Sequence, residues 1–135
     1  NIVAYWRPAT PIAAGTEHQM RYGLQWGADP SPPSDPLIAV RHTAMGGRPE
    51  GGVVMVIDFD AGAQVPEDLA QVEVILRSST GSTTPGILQR NPETGGPRLA
   101  FTFEPDDDAV AEFRGQLRHK DAPLSEVWLY RWTPV

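Results

Sequence analysis

Apolar side chains recur at every second position in stretch after stretch of this chain. In Gly52 to Phe59 they are Val53, Met55, Ile57 and Phe59; in Gln71 to Ser78, Val72, Val74 and Leu76. Arg98 to Glu104 carries Leu99, Phe101 and Phe103, and Ala111 to Arg118 carries Ala111, Phe113 and Leu117. Successive side chains of a strand point to opposite faces, so a period of two marks a strand with one buried face. His18 to Trp26 shows the same rhythm through Met20, Tyr22, Leu24 and Trp26, and Asn1 to Trp6 also reads as a strand. No long stretch has helical period, which argues against alternating strands and crossover helices. Only Pro66-Glu67-Asp68-Leu69-Ala70 reads as a helical turn, with proline at its first position and carboxylates at its N-terminal end.

Turn signals separate these runs at Pro11 to Gly15, Gly46-Gly47, Gly51-Gly52, Gly81, Gly95-Gly96 and Asp106-Asp107-Asp108. Their spacing predicts eight or nine strands in an all-β sandwich. The longest irregular piece, Ala28 to Pro36, holds Pro30, Pro32, Pro33 and Pro36; it reads as a long loop inside one domain, because strand patterning resumes at Leu37. The 135 residues match one ordinary domain with a sizeable core. The 13 glycines and 14 prolines are spread along the chain, as short elements joined by turns require.

A formal net charge of −6 disfavours nucleic acid and anionic membrane as partners. No apolar run approaches the roughly 18 residues needed to cross a bilayer. Cysteine is absent, which excludes disulfides and thiol chemistry but leaves the compartment open. The chain opens on Asn1, inside what reads as a strand and without a signal-like segment, so it is read as a piece of a longer chain.

Residue patterns for catalysis or metal binding are missing. His18, His42 and His119 are single and far apart, which makes zinc improbable. Glu104-Pro105-Asp106-Asp107-Asp108 lacks the alternating oxygen ligands of a calcium loop and reads as a solvated turn. Asp58 and Asp60 fall on one side near a strand end; a carboxylate pair serves glycoside hydrolysis, but a strand-end turn is the better reading. No catalytic residue, metal or cofactor is assigned. The aromatics remain. Trp128, Tyr130 and Trp132 share one face of a last strand whose other face carries Val127 and Leu129. Core packing is the favoured reading, with an interface or a sugar-stacking platform as alternatives. Tyr5 and Trp6 point to opposite sides of their strand, so one is core and the other a contact candidate. Tyr5, Trp6 and Trp132 are therefore the candidate interdomain or glycan-contacting residues. An exposed apolar patch is expected near Tyr5, Trp6 and the outward residues of the last strand.

Four blocks carry a resemblance to a known family. Ile2 to His18, including Ala4-Tyr5-Trp6-Arg7-Pro8, is similar to the segment that opens the C-terminal domain of the periplasmic glucan biosynthesis proteins (the MdoG/OpgG and OpgD family). Tyr22-Gly23-Leu24-Gln25-Trp26-Gly27 resembles the family's next block, and Asn91-Pro92-Glu93-Thr94-Gly95-Gly96-Pro97-Arg98 resembles its turn. Pro123-Leu124-Ser125-Glu126-Val127-Trp128-Leu129-Tyr130-Arg131-Trp132 resembles its close. The blocks occur in order over almost the whole chain. The resemblance implies that residues 1–135 form a single C-terminal, Ig-like (E-set type) antiparallel sandwich of about seven to nine strands, in a larger two-domain periplasmic protein of Gram-negative bacteria. It implies a role in making osmoregulated periplasmic glucans with a β-1,2-linked backbone. Some family members are similar to β-1,2-glucan hydrolases whose acids lie in the large N-terminal domain, so this part is expected to support catalysis, not perform it. The partners implied are that N-terminal domain, with β-1,2-glucan or the membrane glucan synthase as alternatives.

Overall fold

The computed structural model describes residues 5, 7–24, 26, 37–106 and 110–134. The chain divides into two compact units, Asn1–Pro33 and Ser34–Val135, with the boundary inside the proline-rich stretch.

In the second unit the described residues form nine strands: β1 (Val40–Gly47), β2 (Val53–Phe59), β3 (Val72–Ser78), β4 (Ser82–Thr83), β5 (Ile87–Arg90), β6 (Pro97–Glu104), β7 (Ala111–His119), β8 (Ala122–Pro123) and β9 (Trp128–Trp132). All strand pairings are antiparallel. The first sheet runs β1-β2-β6, with β4 and β5 pairing consecutive stretches of β6. The second runs β3-β7, with β8 and β9 pairing consecutive stretches of β7 on its other side. The expected all-β sandwich is present. The helical turn is shifted: a 3-10 turn spans Leu69–Gln71, and the Asp68 side chain caps it by accepting from the Ala70 N–H.

The alternation in sequence becomes the core. Met55, Ile57, Phe59, Leu99, Phe101 and Phe103 enter it from the first sheet; Phe113, Leu117, Trp128 and Trp132 enter it from the second. Rings of the two sheets meet edge to face, Phe103 on Phe113 at 4.7 Å and on Trp132 at 5.3 Å between centroids. That geometry sets the positive ring edge against the negative face and adds to the area buried. Trp128 stands opposite Gly115 in the ladder, and a Cβ at Gly115 would meet the indole at 3.2 Å. The glycine thus makes room for the tryptophan.

Two chain features close the sandwich. Ile38 bridges Ser125 in parallel, and the Val40 N–H reaches the Glu126 carboxylate at 2.6 Å. Between β8 and β9 the ladder lacks a rung at Leu117. The Ser125 hydroxyl supplies it, accepting from the Leu117 N–H at 2.9 Å, while the Leu117 carbonyl accepts from Leu124 N–H. Ser125 is fully buried, so this bond is shielded from water.

In the first unit, the strand expected from His18 to Trp26 is not formed by the described residues 18–24 and 26. Alternation gives a segment the capacity to pair, but a strand needs a neighbour for its N–H and C=O groups. The described residues of this unit supply no such ladder. Tyr5 is likewise outside any strand, and the rest of the strand read at residues 1–6 lies outside the described residues.

Candidate interaction surfaces

The carboxylates of Asp58, Asp60 and Asp106 are already committed. Arg98 grips Asp58 with two bonds, Nε to Oδ1 at 2.6 Å and Nη2 to Oδ2 at 2.9 Å, and Asn91 adds a third at 3.2 Å. The guanidinium chiefly, with help from the Asn91 amide and against the cost of burial, holds the Asp58 carboxyl below the usual aspartate range. Asn91 also shapes the following turn: its side-chain oxygen accepts from the Glu93 N–H and its carbonyl from the Gly95 N–H. Asp60 pairs separately with Arg41 at 3.0 Å. Asp58 and Asp60 therefore serve different cations and do not face one substrate. Asp106 accepts from the Gly81 N–H and the Thr80 hydroxyl, both at 2.8 Å, which lowers its pKa and makes it a turn lock. Among the described residues no group of three His, Asp or Glu side chains is placed to hold a metal ion.

The terminal aromatics are core. Trp128 is 4 % exposed and Trp132 7 %, and Tyr130 packs partly buried against the same cluster. Trp132 thus has little surface to give a sugar or a partner. The reason is register: residues 128, 130 and 132 lie opposite Gly115, Phe113 and Ala111, on the inward face of β7. Tyr5 is 76 % exposed. Trp6 lies outside the described residues. Met20, Tyr22, Leu24 and Trp26, the apolar set of the unpaired segment, are 72 to 89 % exposed.

The outward patch expected on the last strand is a single Leu129 beside Arg131. A contiguous apolar band lies instead on the outer face of the first sheet. Ala44, Val56, Ala100 and Ile87 stand side by side in one row across β1, β2, β6 and β5. Val54 and Thr102 pair in the next row, beside Gly46. Val54, Ala100, Thr102 and Ile87 line a shallow hollow of about 460 Å³ together with Thr84 and Pro85. Ion pairs fence the band: Asp58 with Arg98 on one side, Glu104 with Arg48 on the other. Nothing in the alternation of β2 announces the band, because Val54 and Val56 fall on the face where polar residues are expected.

These features define an all-β sandwich with an apolar band on the outer face of its first sheet. The family model described as "Periplasmic glucan biosynthesis protein, MdoG" matches residues 1–132, and the chain belongs to this family. It is 39 % identical over 137 residues to glucans biosynthesis protein G of Vibrio cholerae, covering 98 % of this chain and 25 % of that protein. The protein of the same name from Bradyrhizobium diazoefficiens is 36 % identical over 134 residues, covering 99 % and 26 %. The one from Shewanella frigidimarina is 36 % identical over 137 residues, covering 98 % and 24 %. The chain thus spans about a quarter of the length of the relatives it matches. Among the described residues no helix is long and apolar enough to cross a membrane.

Proposed function

We propose that this chain is the C-terminal, Ig-like part of a periplasmic glucan biosynthesis protein, and that it supports a neighbouring domain that works on the β-1,2-linked glucan backbone. The observation that carries this reading is the apolar row Ala44, Val56, Ala100 and Ile87 on an outer sheet face. A sandwich whose core is already full gains nothing from such a row unless another surface covers it. The relatives are about four times as long as the match, so a cover of the right origin is at hand in the rest of the parent chain. Tyr5 and the alternating set Met20, Tyr22, Leu24 and Trp26 fit the same account, as a segment whose strand partner lies in that remainder. Trp6 is kept as a contact candidate from its position beside Tyr5.

The test is to place a charge in the row. Ile87→Glu in the full-length parent is expected to lower periplasmic glucan content in cells lacking the native protein. The same substitution in the 135-residue chain should leave its melting temperature within about 2 °C, since an exposed position contributes little to the fold. Unchanged glucan content with the variant present at normal levels would contradict the reading.

A second reading is direct glucan contact. Tyr5, Tyr22 and Trp26 are exposed aromatics, the kind of side chain on which sugar rings stack. Titration of the labelled chain with linear β-1,2-gluco-oligosaccharides separates the two: saturable amide shifts around Tyr22 and Trp26 favour contact, and no shifts at millimolar sugar favour the supporting role. Docking to the membrane glucan synthase is the remaining alternative.

A further inference from the structure

The outer face of the second sheet has a different character. β7 sends Glu112, Arg114, Gln116 and Arg118 outward, since Ala111, Phe113, Gly115 and Leu117 are buried. The register places Glu73 opposite Arg118 and Glu112 opposite Arg131, two complementary pairs. It places Arg77 opposite Arg114. Directly opposed residues have Cβ atoms roughly 4.5–5.5 Å apart, where like charges destabilise a sheet. Leu129, 70 % exposed, stands on the other side of Arg114 and completes a row across β3, β7 and β9.

Other arginines of the second unit are engaged, Arg90 and Arg118 by donating to backbone carbonyls. Arg41, Arg48 and Arg98 each hold a carboxylate. The side chains of Arg77, Arg114 and Arg131 make no hydrogen bond or ion pair among the described residues. A chain of net charge −6 thus sets Arg77 against Arg114 on one sheet face, with no carboxylate of the described residues bonded to either.

We propose that the row Arg77, Arg114 and Leu129 is a docking surface for an acidic segment of another protein. Two carboxylates of that segment pair with the Arg77 and Arg114 guanidiniums, whose planar forks suit carboxylate oxygens. An apolar side chain next to the carboxylate on Arg114 covers Leu129. Arginine is enriched at protein interfaces, and the exposed Leu129 adds apolar area to bury beside it. Sugar is disfavoured, because Trp128, Tyr130 and Trp132 all face the core and leave no ring on this side. Long polyanions and anionic membrane feel the net negative field of the whole domain. A short segment feels mainly the charges within a Debye length, about 8 Å at physiological salt. This face points away from the apolar band on the other sheet, so both can be occupied together, and the inference does not depend on what covers the band.

The test titrates the labelled 135-residue chain with an end-capped peptide of two glutamates, a leucine and two further glutamates. Phosphatidylglycerol vesicles and oligogalacturonate serve as separate arms. Saturable shifts are expected at the amides of Arg77, Arg114 and Leu129, fading with added salt. Arg114→Gln should weaken binding about fivefold, as loss of one charge-assisted pair does. Arg77→Glu should weaken it further yet raise the melting temperature by a few degrees, because it converts a like-charged cross-strand pair into a complementary one. Arg41→Gln, on the other sheet, should leave binding unchanged. Absence of shifts on this face at millimolar peptide, binding unaffected by Arg77→Glu, or tighter binding of vesicles or oligogalacturonate would each overturn the proposal.

Discussion

Trp128 donates its indole N–H to the Thr43 hydroxyl at 2.9 Å, joining the last strand of the second sheet to the first strand of the other. The bond spans 85 residues of sequence and anchors the end of the chain. Trp128 also stacks on Tyr130 and meets Phe101 edge-on. Trp128→Ala is expected to cost about 3–5 kcal/mol, the usual range for emptying a large buried aromatic site. Thr43→Val removes the acceptor and keeps the shape, so it should cost about 1 kcal/mol. Urea denaturation of both variants checks the pair; a near-zero loss for Trp128→Ala would refute its role in the core.

The Asp58 site makes stability depend on acid. Its folded pKa lies below the unfolded value because Arg98 and Asn91 favour the charged form. A group depressed in this way contributes fully above its unfolded pKa, and its contribution disappears as pH falls through the lower folded value. The loss begins near about pH 4 and continues downward. Asp58→Asn should therefore cost about 2–3 kcal/mol at neutral pH, as breaking charged hydrogen bonds does. Its gap to the native chain should narrow steadily below about pH 4. Chemical denaturation at a series of pH values measures this; a gap independent of pH would show that Asp58 is not the linked group.

Ser125→Ala deletes one oxygen and leaves the Leu117 N–H buried without its acceptor. The expected cost is about 1–3 kcal/mol. Hydrogen exchange at the Leu117 amide should accelerate more than at neighbouring β7 amides. Uniform acceleration along β7 would mean that the hydroxyl is not a local rung.

Gly96 sits where a Cβ would come within 2.1 Å of the Phe59 carbonyl oxygen, a backbone atom that cannot swing aside. Gly96→Ala should force the turn after Asn91 away from β2 and cost at least about 2 kcal/mol, in the range of overpacked sites. Gly95→Ala meets no steric contact but holds φ of 72°, so its cost should be smaller, near about 1 kcal/mol. Equal melting temperatures for the two variants would contradict this ranking.

β2, β3, β6, β7 and β9 were legible because each carries its own evidence: Val53, Met55, Ile57 and Phe59 alternate whatever they pair with. β1 was less so, since Val40 to Gly47 does not alternate and its Gly46-Gly47 reads as a turn. The short edge strands β4, β5 and β8 were not, since two to four residues hold too little pattern. Met20 to Trp26 shows the converse, a strong pattern with no partner. The burial of Trp132 is a fact of register, since facing Ala111 turns the ring inward. Register is also why the Ser125 rung, the Ala44–Ile87 row and the Arg77–Arg114 opposition were invisible: each joins residues from different strands. Asn91 and Arg98 lay within a recognised block, yet their target, Asp58, is fixed only by the pairing of β2 with β6.

In the proposed arrangement the apolar row on the first sheet is covered by the rest of the parent protein. The chain has no cysteine, so a single introduced thiol reports cleanly. Ile87→Cys, at a position 67 % exposed here, would be labelled with a maleimide in the 135-residue chain and in a full-length parent freed of other cysteines. Leu129→Cys on the opposite sheet is the reference. The account predicts that Ile87→Cys reacts at least about tenfold more slowly in the parent than in the isolated chain, as an interface excluding water requires. Equal rates in the two, with Leu129→Cys also unchanged, would contradict it.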